Sequence, residues 1–447
     1  MFKTVLIANR GEIAVRIIAA CRELGVRSVV AHSQSDIDAL PVRLADRAIC
    51  IGPAPSRLSY LSVPAVVSAA QVSGADAIHP GYGFLSESAE LADTCVQTGL
   101  VFIGPPATVL RQLGDKVQAR QVMREAGLSI IRGTETVNDI DTAVRVAAEI
   151  GYPIMVKATA GGGGRGMRVV ENAAALAAAL PIARREAETA FGDSRIYLET
   201  FIDQARHIEY QVLADSRGRV VHLGERDCSI QRRHQKMVEE TPAVDVGGDA
   251  SRRTGELVTA AVRAVGYVGA GTFEFLRDPQ GRQYFMEANA RVQVEHGISE
   301  MVTGVDVVKE QIRIAAGESL GWQQQDVAPR GHAIECRITA EHPKTLAPSP
   351  GAITVLTLPG GPGVRVDTAA EVGGMVSPFY DPLLAKVMAQ GRDRHEAIAR
   401  MRRALSMTSI KGVDTTIPLL QEILSHPNFL DGRVTTTFLD RLIADRA

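Results

Sequence analysis

The sequence predicts a multidomain protein of mixed α/β and α+β class, and three features of the chain support this. Its 447 residues are more than one domain usually holds. Before residue 111, strand-like apolar runs alternate with helical segments, which is typical of a parallel sheet covered by helices. Strand-like runs prevail between residues 205 and 300, and a region rich in glycine and proline follows the polar linker after Trp322.

The N-terminal region predicts a small open parallel sheet. KTVLIAN is a continuous apolar run before a turn, and GEIAVRIIAACRELG follows with helical spacing that ends on Gly25. RSVVAHS, SGADAIHPG and GLVFIGP repeat the pattern of a strand before a turn. The first turn, ANRGEI, lacks the glycine spacing of a dinucleotide site, so we expect a Rossmann-like scaffold without that fingerprint.

The stretch KATAGGGGRGMRVV, residues 157–170, predicts a loop that covers phosphate groups. Gly161, Gly163 and Gly166 satisfy G-x-G-x-x-G, but dinucleotide and Walker loops both lead into a helix. Here GYPIMVKAT predicts a strand before the glycines and MRVV a strand after them, while LGDKVQARQVMREAGL upstream predicts one amphipathic helix. We therefore expect a hairpin whose backbone N–H groups face phosphates, with a merely flexible turn as the alternative.

The stretch QYFMEANARVQVEH predicts a strand with one polar face. Because side chains alternate along an extended chain, one face carries Gln283, Phe285, Glu287, Asn289, Arg291, Gln293 and Glu295. The other face carries mostly core residues, Tyr284, Met286, Ala288, Ala290, Val292 and Val294.

This polar face predicts a site for a metal ion and an oxyanion. A DPQG turn returns the chain from GTFEFL and brings Glu274 close to Glu287, and two carboxylates with the Asn289 amide suit Mg²⁺. Arg291 offers a planar fork for carbonate or phosphate, and Glu295 beside it can act as a base. The alternative is a solvated strand face with salt bridges.

A second polar stretch, ERDCSIQRRHQKMVEE, carries Arg232, Arg233, His234 and Lys236. A basic surface turn and a small nucleic-acid patch are the alternatives, but acidic neighbours and the lack of interleaved aromatic residues disfavour nucleic acid. Lys157, at the end of an apolar strand just before the glycines, can contact phosphate as a point charge.

Composition excludes several classes of protein. A formal net charge of −2 gives no reason to expect nucleic acid or an anionic membrane. The five cysteines form no C-x-x-C pair, and no apolar segment reaches the roughly 18 residues that span a bilayer. The first apolar run meets Asn9 and Arg10 too soon for a signal peptide. We expect a cytoplasmic protein.

With these residues in view, the chain resembles the biotin carboxylase component of biotin-dependent carboxylases (acetyl-CoA carboxylase type), in the ATP-grasp superfamily. The motifs that carry the resemblance follow the family's order along nearly the whole chain: IANRGEIAVRI, AIHPGYGFLSE, KATAGGGGRGMRVV, ERDCSIQRRHQK, GAGTFEF, RVQVEH and ECRITAE. The resemblance implies a Rossmann-like N-terminal domain at 1–113, an ATP-grasp domain at 114–328 with a mobile lid at about 131–203, and a β-rich C-terminal domain at 329–447.

The resemblance also implies a role for each matching residue. ATP is held by Lys116, Lys157, Gly163, Gly164, Glu199, Ile202, His207, Gln231 and His234. The Mg²⁺ (or Mn²⁺) ligands are Glu274, Glu287 and Asn289. Bicarbonate contacts Lys236, Arg291, Gln293 and the Val294 backbone; Lys236, Arg291 and Glu295 are catalytic, with Glu295 as the base. Tyr82 and Arg337 match the biotin region.

The implied reaction carboxylates biotin through carboxyphosphate, with ATP and bicarbonate consumed and ADP and phosphate released. No Met-Lys-Met biotinylation site occurs, so the resemblance implies biotin on a separate carrier protein, a carboxyltransferase on another chain, and a homodimer.

The chain departs from the family's pattern at three places, and the first two leave the final acceptor open between acetyl-CoA, another acyl-CoA and urea. Gly297-Ile298-Ser299-Glu300 stands where acetyl-CoA carboxylase components typically have Pro-Val-Thr-Glu. VSPFYDPLLAK replaces the commoner Tyr-Tyr-Asp, and Thr200 replaces a frequent lysine in the adenine-contacting hinge. The first two look more like urea carboxylases and some acyl-CoA carboxylases.

Three other functions compete with this interpretation. Another ATP-grasp ligase, of the carbamoyl-phosphate synthase or peptide ligase type, would share the lid and the metal strands, but GYGFLSE and ECRITAE argue against it. A nicotinamide-dependent dehydrogenase conflicts with the strand-loop-strand context of the glycines. A silent regulatory subunit is disfavoured because every catalytic position is filled.

Overall fold

The computed structural model describes residues 1–137, 139–159 and 167–445. Its N-terminal part contains the predicted parallel sheet, in the strand order β3-β2-β1-β4-β5. The strands are β1 (Thr4–Ile7), β2 (Arg27–Ser33), β3 (Arg47–Gly52), β4 (Ala77–His79) and β5 (Val101–Phe102). The helices around it are α1 (Gly11–Glu23), α2 (Leu40–Leu44), α3 (Val63–Ser73), α4 (Ala89–Gln97) and α5 (Ala107–Gly114).

The helix predicted from LGDKVQARQVMREAGL is confirmed from Lys116 onward, but it begins later than predicted because the chain breaks at Asp115. Helix α5 ends at Gly114, and α6 (Lys116–Glu125) begins afresh. Asp115 has extended backbone angles, and its carboxylate accepts hydrogen bonds from the N–H groups of Val117 and Gln118. This N-cap satisfies two of the free donors of α6 and turns the chain.

A separate four-stranded antiparallel sheet, in the order β6-β9-β7-β8, contains the strands that flank the glycines. Its strands are β6 (Gly133–Val137), β7 (Ile154–Ala158), β8 (Arg168–Val170) and β9 (Ile196–Thr200). The helices between them in the chain are α7 (Ile140–Ile150) and α8 (Ala173–Phe191). Strands β7 and β8 pair antiparallel, so the two strands predicted before and after the glycines are confirmed. Gly161, Gly163, Gly164 and Gly166 lie outside the described residues.

The largest sheet has eight strands in the order β14-β13-β10-β11-β12-β15-β20-β18. Its strands are β10 (Arg206–Ala214), β11 (Val220–Arg232), β12 (Gln235–Thr241), β13 (Gly269–Arg277), β14 (Gln283–Asn289), β15 (His332–Thr339), β18 (Val364–Thr368) and β20 (Leu383–Gly391). The helices α9 (Gly248–Ala264), α10 (His296–Thr303) and α11 (Val307–Ala315) lie between them in the chain. Strand β12 pairs with β15, so the sheet runs across the proposed boundary at residues 328 and 329.

The remaining C-terminal elements form a second core beside this sheet. They are β16 (Gly351–Ala352), β17 (Val355–Thr357), β19 (Met375–Val376), α12 (Arg394–Met407), β21 (Ser409–Lys411), α13 (Ile417–Ile423), α14 (Pro427–Leu430) and α15 (Phe438–Ala444). Helix α12 is the helix predicted from RHEAIARMRRALSM. Among the described residues, every helix is too short or too polar to cross a bilayer.

Helix α10 explains why glycine is tolerated at position 297, where the family typically has proline. Ile298 and Val302 of this helix pack against Ala333 of β15 and Met388 of β20. A Cβ atom at Gly297 would overlap the sulfur of Met388. The methionine therefore fills the space that a proline ring would occupy.

We predict that Gly297→Ala lowers stability by about 1–3 kcal/mol, because it overpacks this contact. Met388→Ala in the same chain removes the overlap, so the double variant should be more stable than the sum of the single effects predicts. Denaturant unfolding monitored by fluorescence measures both. Gly248→Ala is the control, since nothing lies within 4 Å of a Cβ there. Strictly additive effects would contradict the contact.

Candidate active site

A cavity of about 790 Å³ opens where the eight-stranded sheet meets the N-terminal sheet and the four-stranded sheet. Most predicted site residues line it, which brings together side chains from every region of the chain. They are Tyr82, Lys116, Lys157, His207, His234, Lys236, Glu274, Glu287, Asn289, Arg291, Gln293, Val294, Glu295 and Arg337.

Of the predicted site residues that the structure describes, three do not line the cavity. Glu199 is buried and pairs with Lys157, a residue that lines the cavity. It also pairs with Arg120 Nη1 at 2.9 Å. Gln231 lies opposite Lys236 in the β11–β12 pair. Ile202 is half-buried just beyond β9.

The centre of the cavity is an ammonium surrounded by carboxylates. Lys236 Nζ donates to Glu295 Oε1 at 2.6 Å, to Glu274 Oε1 at 2.9 Å and to Glu209 Oε2. All three carboxylates are buried, with relative exposures of 3% or less. Burial opposes the charge on Lys236, but Glu209 and the other carboxylates raise its pKa well above the usual value. Lys236 is therefore a fixed cation at neutral pH.

Glu295 is ionised between two cations. Its Oε1 accepts from Lys236, and its Oε2 accepts from Arg337 Nη2 at 3.0 Å. Burial raises the pKa of Glu295, yet Lys236 and Arg337 outweigh burial and lower the pKa below its usual value. Arg337 is held in turn by Glu239, whose Oε1 accepts from Arg337 Nε at 2.6 Å. Glu295 is thus ionised at neutral pH.

Beneath this cluster, Arg226 of β11 is a fully buried guanidinium. Its Nε donates to Glu209 Oε1 at 2.6 Å, and its Nη2 donates to Gln293 Oε1 at 3.2 Å. Gln293 Nε2 then donates to Glu274 Oε1 at 2.7 Å. Arg226 therefore fixes one acceptor of Lys236, Glu209, together with the amide of Gln293.

The predicted metal ligands lie together at one edge of the sheet. Glu274 and Glu287 are direct partners in the β13–β14 pair, and Asn289 Nδ2 donates to Glu274 Oε1 at 2.9 Å. Glu287 Oε2 lies 3.1 Å from Lys116 Nζ, so each carboxylate faces a lysine. His207 Nε2 lies 3.1 Å from Glu274 Oε2; burial lowers the pKa of His207, but Glu274 outweighs it and raises the pKa to about 9.

The alternation predicted along QYFMEANARVQVEH is wrong at Phe285, Met286 and Val294. The register shifts between Glu274 and Phe275, so Glu274 faces Glu287 while Phe275 faces Phe285. This bulge turns Phe285 into the core and puts Met286 in the cavity wall. The strand also ends at Asn289, and Val294, expected in the core, lines the cavity.

Arg291 is held at the cavity by a residue from the N-terminal region. Its Nε donates to Glu87 Oε2 at 2.9 Å, and its Nη2 donates to Asn289 Oδ1 at 2.7 Å. Glu87 Oε1 also accepts from the N–H of Ala290 at 2.9 Å. Burial opposes the charge, but Glu87 raises the pKa of Arg291, so the guanidinium stays charged.

The rest of the wall differs between its two ends. At one end, Lys116, Lys157 and His234 lie near Met167, on the side of the four-stranded sheet. His234 sits in the β11–β12 turn with a positive φ of 64°. At the other end, Tyr82 Oη donates to Glu12 Oε1 at 2.5 Å. Phe84, Tyr380 and Phe379 complete that aromatic end.

Sequence reasoning missed Glu209, Arg226 and Glu87, which position the predicted residues. A signal for Glu209 exists, because His207, Glu209 and Gln211 alternate in β10, whose residues are all buried. Buried polar residues in strict alternation indicate a functional face. Glu87 follows the GYGFLS motif and carries no such signal.

Comparison with known proteins shows to which family the chain belongs. The model of the biotin carboxylase N-terminal domain matches residues 1–110, that of the carbamoyl-phosphate synthase L chain ATP-binding domain matches residues 115–323, and that of the biotin carboxylase C-terminal domain matches residues 335–441. A biotin carboxylase of Allochromatium vinosum is 52% identical over 445 residues, 99% of each chain. The chain belongs to the biotin carboxylase family. It is an ATP-dependent ligase with the ATP-grasp fold that the motifs predict.

Two further relatives show the range of this family. A pyruvate carboxylase subunit of Methanothermobacter thermautotrophicus is 48% identical, over 98% of this chain and 90% of that protein. The biotin carboxylase domain dimer of Hydrogenobacter thermophilus 2-oxoglutarate carboxylase, solved with MgADP, ADP and bicarbonate, is 46% identical. Its TM-score is 0.96, and the match covers 99% of this chain and 98% of that one. Biotin carboxylases thus occur in carboxylases with different acceptors.

Glu335 of β15 lies directly opposite Glu239 on β12 and gives a test of the buried charges. Both of its carboxyl oxygens are buried without a hydrogen-bond partner among the described residues. Burial raises the pKa of Glu335 well above 4.5, against the attraction of Lys386. A raised folded pKa contributes stability that is complete below the pKa of the unfolded chain and is lost as pH rises through the folded pKa.

We therefore predict that the unfolding temperature of the wild type falls relative to that of Glu335→Gln as pH rises from about 5 to about 9. The neutral amide keeps the size of the side chain and has no proton to lose. Thermal unfolding at several pH values measures the difference, and Glu256→Gln, at an exposed position of α9, is the control. A constant difference between the two proteins across this range would show that Glu335 does not change its protonation.

Proposed function

We propose that the cavity binds ATP, bicarbonate and biotin side by side and carboxylates the biotin of a carrier protein. The observation that carries this proposal is the buried Glu295 carboxylate, held between Lys236 and Arg337 beside Arg291 and Gln293. A base next to two fixed cations suits a small oxyanion that must lose a proton. Bicarbonate is such an anion.

The nucleotide occupies the end of the cavity nearest the four-stranded sheet in this proposal. Lys116 and Lys157 lie there with His234, and two ammonium groups suit the phosphates of ATP. Lys157 lies near the end of β7, just before the glycines in the sequence, and Glu199 pairs with its ammonium. The lid at about 131–203, with Gly163 and Gly164, would then cover the phosphates, and Ile202 and Gln231 would border the adenine.

The metal site of the proposal fits the residues present. Glu274 and Glu287 present carboxylate oxygens from paired strands. Asn289 lies beside them with its amide nitrogen toward Glu274 and its oxygen on Arg291, so its amide would turn over to offer the oxygen to the metal. Hard oxygen ligands in small number suit Mg²⁺, whose shell is completed by phosphate oxygens and water. A Mg²⁺ ion held by these residues would offset negative charge on the phosphates of ATP.

The first chemical step uses the central cluster. A bicarbonate between Lys236 and Arg291 places a second negative charge beside Glu295, which raises the pKa of that carboxylate toward that of a base. Glu295 takes the bicarbonate proton, and a carbonate oxygen attacks the γ-phosphorus. The bond to the β–γ bridging oxygen breaks, so that carboxyphosphate and ADP form.

The second step transfers the carboxyl group. The C–O bond of carboxyphosphate breaks, which releases CO₂ and phosphate in a site closed to water. The phosphate takes the proton from the ureido nitrogen of biotin, and that nitrogen attacks CO₂. Arg291 stabilises the negative charge on the ureido oxygen, while Tyr82 and Arg337 border the biotin.

The acceptor, the partner chains and the oligomeric state are proposed from the resemblance to biotin-dependent carboxylases. We propose acetyl-CoA as the final acceptor, with another acyl-CoA or urea as the alternatives. Carrier protein and carboxyltransferase are then separate chains, and the enzyme is a cytoplasmic homodimer. The dimeric biotin carboxylase domain from Hydrogenobacter thermophilus supports the homodimer. Activity of the reconstituted enzyme with each acceptor, and the mass of this chain in solution, test these points.

We predict that Glu295→Gln lowers biotin-stimulated ADP release by about 10²–10⁴-fold, because the amide cannot take the bicarbonate proton. ADP release from MgATP is measured with bicarbonate, with and without free biotin. ATP affinity should stay within about threefold, since Glu295 lies away from the nucleotide end. Glu310→Gln, a buried glutamate paired with Arg313, is the control. Turnover that ignores biotin but responds to another acceptor would favour a biotin-independent ligase instead.

We also predict that Glu287→Gln raises the Mg²⁺ concentration for half-maximal activity by about tenfold or more, because one carboxylate ligand is lost. Activity titrated with Mg²⁺ at fixed ATP measures this, with Glu310→Gln again as the control. An unchanged Mg²⁺ requirement would remove Glu287 from the metal site.

A further inference from the structure

Lys386 in β20 is a fully buried cation that the steps above do not use. Its Nζ donates to the Val294 carbonyl at 2.8 Å. The same nitrogen lies 3.1 Å from Glu12 Oε1 and 3.6 Å from Asp367 Oδ2. Because removing an ammonium from water is strongly unfavourable, these contacts compensate for its burial.

The contacts of Lys386 join parts of the chain that are distant in sequence. Glu12 belongs to α1 of the N-terminal region, and Asp367 belongs to β18 at the edge of the large sheet. Val294 precedes Glu295, the N-cap residue of α10. Lys386 lies opposite Arg337 in the β15–β20 pair, so it sits directly behind the catalytic cluster.

The bond to Val294 constrains the catalytic carboxylate. The Val294 carbonyl and the Glu295 N–H belong to one planar peptide group, so fixing the carbonyl fixes the backbone from which Glu295 projects. Val294 and Glu295 both line the cavity, whereas Lys386 is not among its lining residues. Lys386 therefore acts through its neighbours and not on the reactants.

The contact with Glu12 reaches the other end of the cavity. Glu12 Oε1, which faces the ammonium, also accepts from Tyr82 Oη at 2.5 Å. Tyr82 and Glu12 line the aromatic end, where biotin is proposed to bind. One ammonium thus connects the carbonyl next to the base with the tyrosine of the biotin end.

We propose that Lys386 is a positioning residue that orients the Val294–Glu295 peptide for bicarbonate and, through Glu12, orients Tyr82 for biotin. The inference rests on the proposed function of the cavity. It adds a residue of the C-terminal region that sets the distance between the two reacting ends without touching either.

The test is Lys386→Met, which keeps the length of the side chain and removes the ammonium. We expect kcat for bicarbonate-dependent ADP release to fall by about tenfold or more and KM for bicarbonate to rise, since small displacements at a reacting centre are costly. The dissociation constant for ATP should change by less than about twofold, because the contacts of Lys386 lie away from the nucleotide end. Lys386→Arg, which restores a cation, should recover part of the activity.

Arg394→Met is the matched control, because it removes another cation from a buried pair in the same region. Arg394 Nε donates to Glu240 Oε2 at 2.7 Å, and Arg394 does not line the cavity. It should lower the unfolding temperature and leave the kinetic constants unchanged. A folded Lys386→Met enzyme with the wild-type kcat and the wild-type KM for bicarbonate would overturn the proposal.

If Lys386→Met fails to fold, as lost ATP binding would show, Glu12→Gln tests the second half of the inference. This variant keeps the Val294 contact and weakens the link to Tyr82, so KM for biotin should rise more than KM for bicarbonate. An unchanged KM for biotin would overturn it. Absence of biotin-stimulated ADP release in the wild type would instead refute the proposed function.

Discussion

The site depends on one electrostatic constraint, the burial of the Lys236 ammonium among three carboxylates. Glu209, Glu274 and Glu295 could not share so small a buried volume as anions without a cation between them. Arg226 and Arg337 add positive charge at either side. This balance of charges keeps Glu295 ionised. It also means that Lys236 and Arg337 could pair with a bound anion in place of one of these carboxylates.

The eight-stranded sheet makes this constraint possible, because adjacent strands place the charges side by side. Glu209 lies on β10, Glu274 on β13 and Lys236 on β12, and Arg337 lies on β15. Each main-chain hydrogen bond in the sheet is thus also a restraint on the geometry of the charges. The N-terminal region then contributes Glu87 and Glu12, which orient Arg291 and Tyr82 from the opposite wall. The cavity exists only when all regions of the chain are assembled.

The sequence allowed much of this to be predicted, and the failures have physical causes. Alternation in an extended chain placed Glu287 and Asn289 correctly on the face that lines the cavity, but it failed at Phe285 and Met286 because a bulge shifts the register. A helical pattern across Asp115 concealed a break made by an N-cap. Glu87 could not be predicted because its partner Arg291 is 204 residues away in the sequence. The glycine at position 297 is explained by the contact with Met388, which is also distant in the sequence. Local patterns predict elements, whereas contacts between distant segments need the fold.

The central claim is that the cavity brings a bicarbonate oxygen to the γ-phosphate of ATP. The measurement that tests it most directly is isotope transfer: the protein is incubated with ¹⁸O-labelled bicarbonate, MgATP and biotin, and the phosphate released is analysed by mass spectrometry. Attack by carbonate on the γ-phosphorus, followed by cleavage of the C–O bond, predicts one ¹⁸O atom in each phosphate. Unlabelled phosphate from an enzyme that carboxylates biotin would contradict the account.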